Sequence, residues 1–100
     1  MSDTYGIRIT PRALKDLQGI FDYIAKDSSR NAAKMIRMLL DAIDGLEILP
    51  HRFNVPRTGY VRGRQTRSMP VRPFLVRYRI EERNRMVRIL RISHGARRRP

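Results

Sequence analysis

A chain of 100 residues has room for one domain with a modest core, and its hydrophobic content of 41% is too high for a disordered chain. There is no cysteine, which excludes disulfide staples and thiolate metal sites and fits a reducing compartment. The formal net charge is +13, and all of it lies in the second half: residues 1–50 hold seven basic and seven acidic side chains, whereas residues 51–100 hold fifteen and two.

Tyr5, Ile7 and Ile9 alternate with Gly6 and Arg8, the period of a short strand. Met1–Thr10 contains no apolar run of signal-peptide length, and no segment reaches the roughly 20 apolar residues of a membrane span, so the expectation is a soluble, cytoplasmic protein without membrane contact. Thr10-Pro11 is a helix start, with Thr10 as N-cap and Pro11 in the first turn. Leu14, Leu17, Phe21 and Ile24, with Ile20 beside them, then recur at helical spacing. Asp27-Ser28-Ser29 breaks this helix and caps the next. In the second helix Ala32, Ala33, Ile36, Leu39, Leu40, Ile43 and Leu46 form an apolar stripe that Leu49-Pro50 closes. Two helices joined by a few polar residues make an antiparallel hairpin.

Residues His51 to Thr66 show no period and contain Pro56, Gly59 and Gly63; Arg52, Arg57, Arg62 and Arg64 make the segment basic. A loop of that length in a compact domain is usually functional or mobile. Three extended pieces follow: Arg67–Val71, Phe74–Ile80 and Met86–Ser93, the last two joined by a turn at Glu81-Glu82-Arg83-Asn84. The order is β-α-α-β-β-β, without internal repeat or linker. The expected fold class is α+β, with residues 1–100 forming a single domain in which the N-terminal strand and helical hairpin pack on an antiparallel sheet.

A turn centred on residues 83–84 sets Ile80 opposite Val87, Tyr78 opposite Ile89 and Val76 opposite Arg91. Phe74, Val76, Tyr78, Ile80, Val87 and Ile89 then share the face that covers the helices. Leu75, Arg77, Arg79, Arg88, Leu90, Ile92 and His94 share the other face. Arg79 sits across from Arg88 with Arg77 diagonal to it. Like charges opposite one another on a sheet are destabilising, and are tolerated where an anion lies on them or where water hydrates them apart. Every basic residue of the second half is an arginine, whose planar fork suits phosphate and carboxylate. Arg91 falls on the helix side in this register and calls for a carboxylate from the helices, Asp16 or Asp44.

His51 and His94 are the only histidines, and no acidic cluster lies near either in sequence, so neither a metal site nor a cofactor is expected. A metal-free ribonuclease site needs arginines on the phosphate and an acid or base near the 2′-hydroxyl. His94 with Arg97, Arg79 and Arg77 supplies such groups; equally, His94 is a strand-end residue that packs or caps.

These features resemble the RelE/ParE superfamily of toxins from type II toxin–antitoxin systems. The resemblance runs over nearly the whole chain, through "ITPRALKDLQGIFDYIAKDS", "LLDAIDGLEILPHR", "RSMPVRPFLVRYRI" and "VRILRISHGAR". It implies a toxin neutralised in a hetero-oligomer by a cognate antitoxin, whose C-terminal segment wraps the toxin surface. An acidic segment would suit the basic half-chain, with Arg67, Arg77, Arg79, Arg88 and Arg97 as antitoxin- or target-binding residues. RelE-like members cleave mRNA on the ribosome; ParE-like members poison DNA gyrase, and the branch is associated with plasmid stabilisation. The ribonucleases of the superfamily carry an arginine near the start of the strand matched by Phe74–Ile80, where this chain has Leu75. They carry another in the last-strand motif, where Arg97 fits. Several add a tyrosine or histidine there; this chain has no tyrosine after Tyr78, and His94 is the remaining candidate. The helix start Ala13, Asp16, Leu17 and the terminal "HGAR" look more like the ParE branch. The implied function is therefore non-catalytic gyrase inhibition. The alternatives are a ribosome-dependent mRNA endonuclease using His94, Arg97 and Arg79, a plain basic nucleic-acid-binding module, or a degraded toxin that only sequesters an antitoxin.

Overall fold

The computed structural model describes residues 4–55, 60–61 and 63–95. Arg57, Arg62 and Arg97, singled out above, lie outside the described residues.

The chain opens with β1 (Gly6–Ile9) and turns directly into α1 (Pro11–Ala25). Thr10 is the hinge of that turn. Its hydroxyl accepts from the Ala13 amide and donates to the Ile89 carbonyl at 2.8 Å, so one side chain caps the helix and fastens it to the sheet. Ser28 caps α2 (Ser29–Asp44) by accepting from the Asn31 amide. Two 3₁₀ turns follow, Gly45–Glu47 and Pro50–Arg52. A short ribbon, β2 (Tyr60–Val61) with β3 (Arg64–Gln65), lies within the segment expected to be irregular. β4 (Arg67–Val71), β5 (Phe74–Glu81) and β6 (Met86–His94) complete the chain.

The main sheet runs β1-β6-β5-β4. Its last three strands are antiparallel, as the hairpin pattern implies, but β1 joins β6 in parallel, so the sheet is mixed. A parallel neighbour requires a crossover, and the α1–α2 hairpin with the segments after it supplies it. Pro70, which has no amide hydrogen to donate, sits on the edge strand β4.

The core lies between this sheet and the two helices. Ala13, Leu17, Leu39, Ile43 and Leu46 from the helical side meet Met69, Val76, Tyr78, Val87, Ile89 and Ile92 from the sheet. Each large apolar side chain so buried contributes about 1.5–3 kcal/mol. On α1 the buried line passes through Ala13 and Leu17 rather than Leu14, which is 54% exposed, because the helix start is pinned tightly against β6. On α2, Ala33 and Leu40 likewise turn outward from the buried Ala32, Leu39 and Ile43.

The β5–β6 register agrees with the expectation near the turn: Ile80 faces Val87, Arg79 faces Arg88 and Tyr78 faces Ile89. It then shifts. A bulge at Leu90 brings Arg91 opposite Arg77 and Ile92 opposite Val76. One extra residue reverses the parity of everything beyond it. Ile92, expected on the arginine face, is therefore in the core, and Arg91, expected on the helix side, is exposed. Its carboxylate partner is Asp16, one of the two expected. Asp16 accepts from Arg91 Nε at 2.9 Å and from the Ile92 amide at 2.9 Å, satisfying a donor on the stretch of β6 that β1 leaves uncovered.

Candidate partner-binding surface

The arginines of the sheet have different local roles. Arg67 begins β4, and its Nη1 donates to the Phe53 carbonyl at 2.7 Å and the His51 carbonyl at 3.3 Å, fixing the 3₁₀ turn to the sheet. Beneath it the buried Tyr78 hydroxyl donates to the Pro50 carbonyl at 2.5 Å. Burial pushes this phenol up to about 12, against the opposing pull of Arg67 and Arg52, so it stays a donor at neutral pH. Arg52 donates to the Ile48 carbonyl at 2.8 Å and lies over the Phe53 ring.

Arg88 is neutralised within the chain. Its Nε and Nη2 meet the two oxygens of Glu81 at 2.9 and 3.4 Å, and this fork holds the Glu81 carboxyl below the usual carboxylate range. The like-charge opposition of Arg79 and Arg88 is thus relieved by the one acidic residue that ends β5. Arg77 is exposed, facing Ser68 on β4 and Arg91 on β6. Arg79 is half-buried, and its Nε has no hydrogen-bond partner among the described residues.

At the turn end of the sheet, Tyr5, His51 and the turn residues Glu82 and Arg85 come together. The Tyr5 hydroxyl donates to Glu82 Oε1 at 2.8 Å, His51 Nε2 meets Glu82 Oε2, and Arg85 stacks over the Tyr5 ring. The Tyr5 hydroxyl, then His51, hold the Glu82 carboxyl low. Sequence reasoning missed this cluster: with Glu82 31 positions after His51 and 77 positions after Tyr5, no local pattern connects them. Beside it lies a cavity of about 370 Å³, reached by His51, Arg64, Arg67, Arg79, Glu81 and Glu82.

His94 is at the opposite end. It pairs with Phe74 across the strands and meets that ring edge-on at 5.5 Å between centroids. Arg79 lies five residues further along β5, roughly 17 Å away at the rise of a strand. The structure therefore does not bring His94 and Arg79 together. His94 instead borders a groove of about 800 Å³ between the sheet and α1, with Ile20, Tyr23, Ile24, Phe74 and Ile92 among its walls. Two faces thus stand out: an arginine surface on the outer sheet and a largely apolar groove beside α1. No helix among the described residues is long and apolar enough to cross a membrane.

The fold is shared with toxins of known structure. A chromosomal ParDE toxin–antitoxin system from P. aeruginosa matches with a TM-score of 0.71 at 23% identity, over 93% of this chain and 98% of that one. The RelBE2 toxin–antitoxin complex of Mycobacterium tuberculosis matches at 0.67 and 23% identity, over 91% and 98%. The archaeal RelE–RelB complex of Pyrococcus horikoshii matches at 0.67 and 19%, over 95% and 99%. No curated protein matches by sequence. The model of the ParE toxin of type II toxin–antitoxin systems, parDE, matches residues 7–99, from β1 through the tail, and the chain belongs to that family.

Proposed function

We propose that this type II toxin inhibits DNA gyrase by binding, and that its cognate antitoxin silences it by laying an acidic segment on the outer arginine surface and an apolar one in the groove beside α1. The observation that carries the gyrase reading is the dispersal of the ribonuclease set. Leu75 stands where the ribonucleases place an arginine, and His94 lies a strand's length from Arg79. A metal-free phosphoryl transfer needs its acid, base and phosphate-holding cations within hydrogen-bond reach of one phosphate, and His94 and Arg79 do not meet at one. A binding-type poison has no such requirement. Membership of the ParE family supports the same reading.

The antitoxin part rests on charge and shape. Arg77 and Arg79 are cations of the outer surface with no carboxylate of their own among the described residues, unlike Arg88 and Arg91. An acidic segment would offset them, speed encounter and fix register. Supercoiling by purified gyrase in the presence of the purified chain tests the target. Translating ribosomes serve as the parallel assay, where codon-positioned mRNA cuts would point to the RelE-like activity instead.

A further inference from the structure

The cavity at the turn end of the sheet shares Arg79 with the outer arginine surface, and its chemistry is specific. Arg64 comes from the β2–β3 ribbon, Arg67 from the start of β4 and Arg79 from β5; His51 comes from the 3₁₀ turn. The two carboxylates on its wall are already engaged, Glu81 with Arg88 and Glu82 with Tyr5 and His51. Three arginines therefore share the cavity without an uncommitted acid among the described residues to balance them. The Nε–H of Arg79 is buried and donates to nothing among the described residues. A buried donor on a charged group without an acceptor is costly, and a bound anion is the direct remedy.

We propose that this cavity binds a phosphate group, with Arg79 Nε donating to one oxygen and the guanidinium groups of Arg64 and Arg67 facing the others. Donors arriving from three separate strands fit a tetrahedral anion with several acceptor oxygens better than a planar carboxylate, which one arginine fork satisfies alone. The volume, about 370 Å³, exceeds what a lone ion fills and lies in the range of pockets that hold small organic ligands, so the phosphate belongs to a larger molecule such as a nucleotide or a nucleic-acid strand. His51, held against Glu82, forms part of the same cavity wall. The site is independent of which macromolecule the toxin poisons, and its test does not involve gyrase.

Isotope-labelled full-length chain is titrated at constant ionic strength with inorganic phosphate, with a dinucleoside phosphodiester and with acetate, following the arginine Nε–H resonances by NMR. The Arg79 signal is expected to move saturably with phosphate, with the phosphodiester, or with both; the preferred probe separates a terminal phosphate site from a backbone one. Acetate is expected to leave it in place. Arg64→Gln should weaken the response about tenfold or more, the value of a charge-assisted hydrogen bond, while Arg77→Gln leaves it unchanged. The proposal is overturned by an Arg79 signal that ignores both phosphates, by an equal response to acetate, or by an undiminished response in a folded Arg64→Gln protein.

Discussion

Asp16 gives the sharpest energetic test of how the bulge is held. Its carboxylate accepts from the part-buried amide of Ile92 and from Arg91, with Arg12 at 3.7 Å as a weaker third contact. Asp16→Ala removes all three. Stranding the Ile92 amide costs about 1–3 kcal/mol. The Arg91 side chain is 44% exposed and simply rehydrates, so its ion pair is worth about 0–1 kcal/mol. The expected loss is about 2 kcal/mol, most of it from the amide. Asp16→Asn keeps a carbonyl oxygen for that amide and should lose about 1 kcal/mol; Arg91→Gln should lose less still. Urea denaturation reads this directly, with the midpoint of Asp16→Ala falling by about 1 M at unchanged slope. Arg91→Gln as damaging as Asp16→Ala would refute the reasoning, because the ion pair and not the amide would then be the fastening.

Tyr78→Phe should cost about 1–2 kcal/mol by leaving the buried Pro50 carbonyl without its donor, measured by the same denaturation. The phenol also predicts an alkaline limit. Its folded value of about 12 lies above the ordinary 10.0, so its stabilisation is complete below pH 10 and is lost as pH rises towards 12. Tyr78→Phe should flatten that decline, and a mutant with the parent's alkaline slope would show that another group titrates. Arg77→Glu, on the exposed surface, should slow association with the cognate antitoxin several-fold at low salt and make it less salt-dependent, as stopped-flow kinetics would show; unchanged kinetics would place the acidic contact elsewhere.

The sequence was most legible where structure is local. Thr10-Pro11 and Asp27-Ser28-Ser29 mark helix starts through side chains that bond amides three residues away, so the signal and its cause sit together. The strand pairing near the β5–β6 turn followed from alternation alone. It failed at Leu90, because a bulge leaves no mark in a run such as Val87–Ile92, where apolar residues and arginines fit either face. The parallel pairing of β1 was hidden for a similar reason: four residues show an alternation but not a neighbour. Among the arginines, sequence gave the face and the Arg79–Arg88 opposition but not the division of labour. That Arg67 holds carbonyls and Arg88 holds Glu81, while Arg79 Nε has no partner among the described residues, depends on tertiary placement. The His51–Glu82–Tyr5 cluster was invisible for the same reason.

The central claim, that this toxin acts by binding gyrase and is silenced by its antitoxin, is tested most directly by gyrase supercoiling with the purified chain and its cognate antitoxin. Inhibition by the free toxin that disappears when stoichiometric antitoxin is added is the predicted result. Supercoiling that proceeds at its normal rate in large toxin excess contradicts the account.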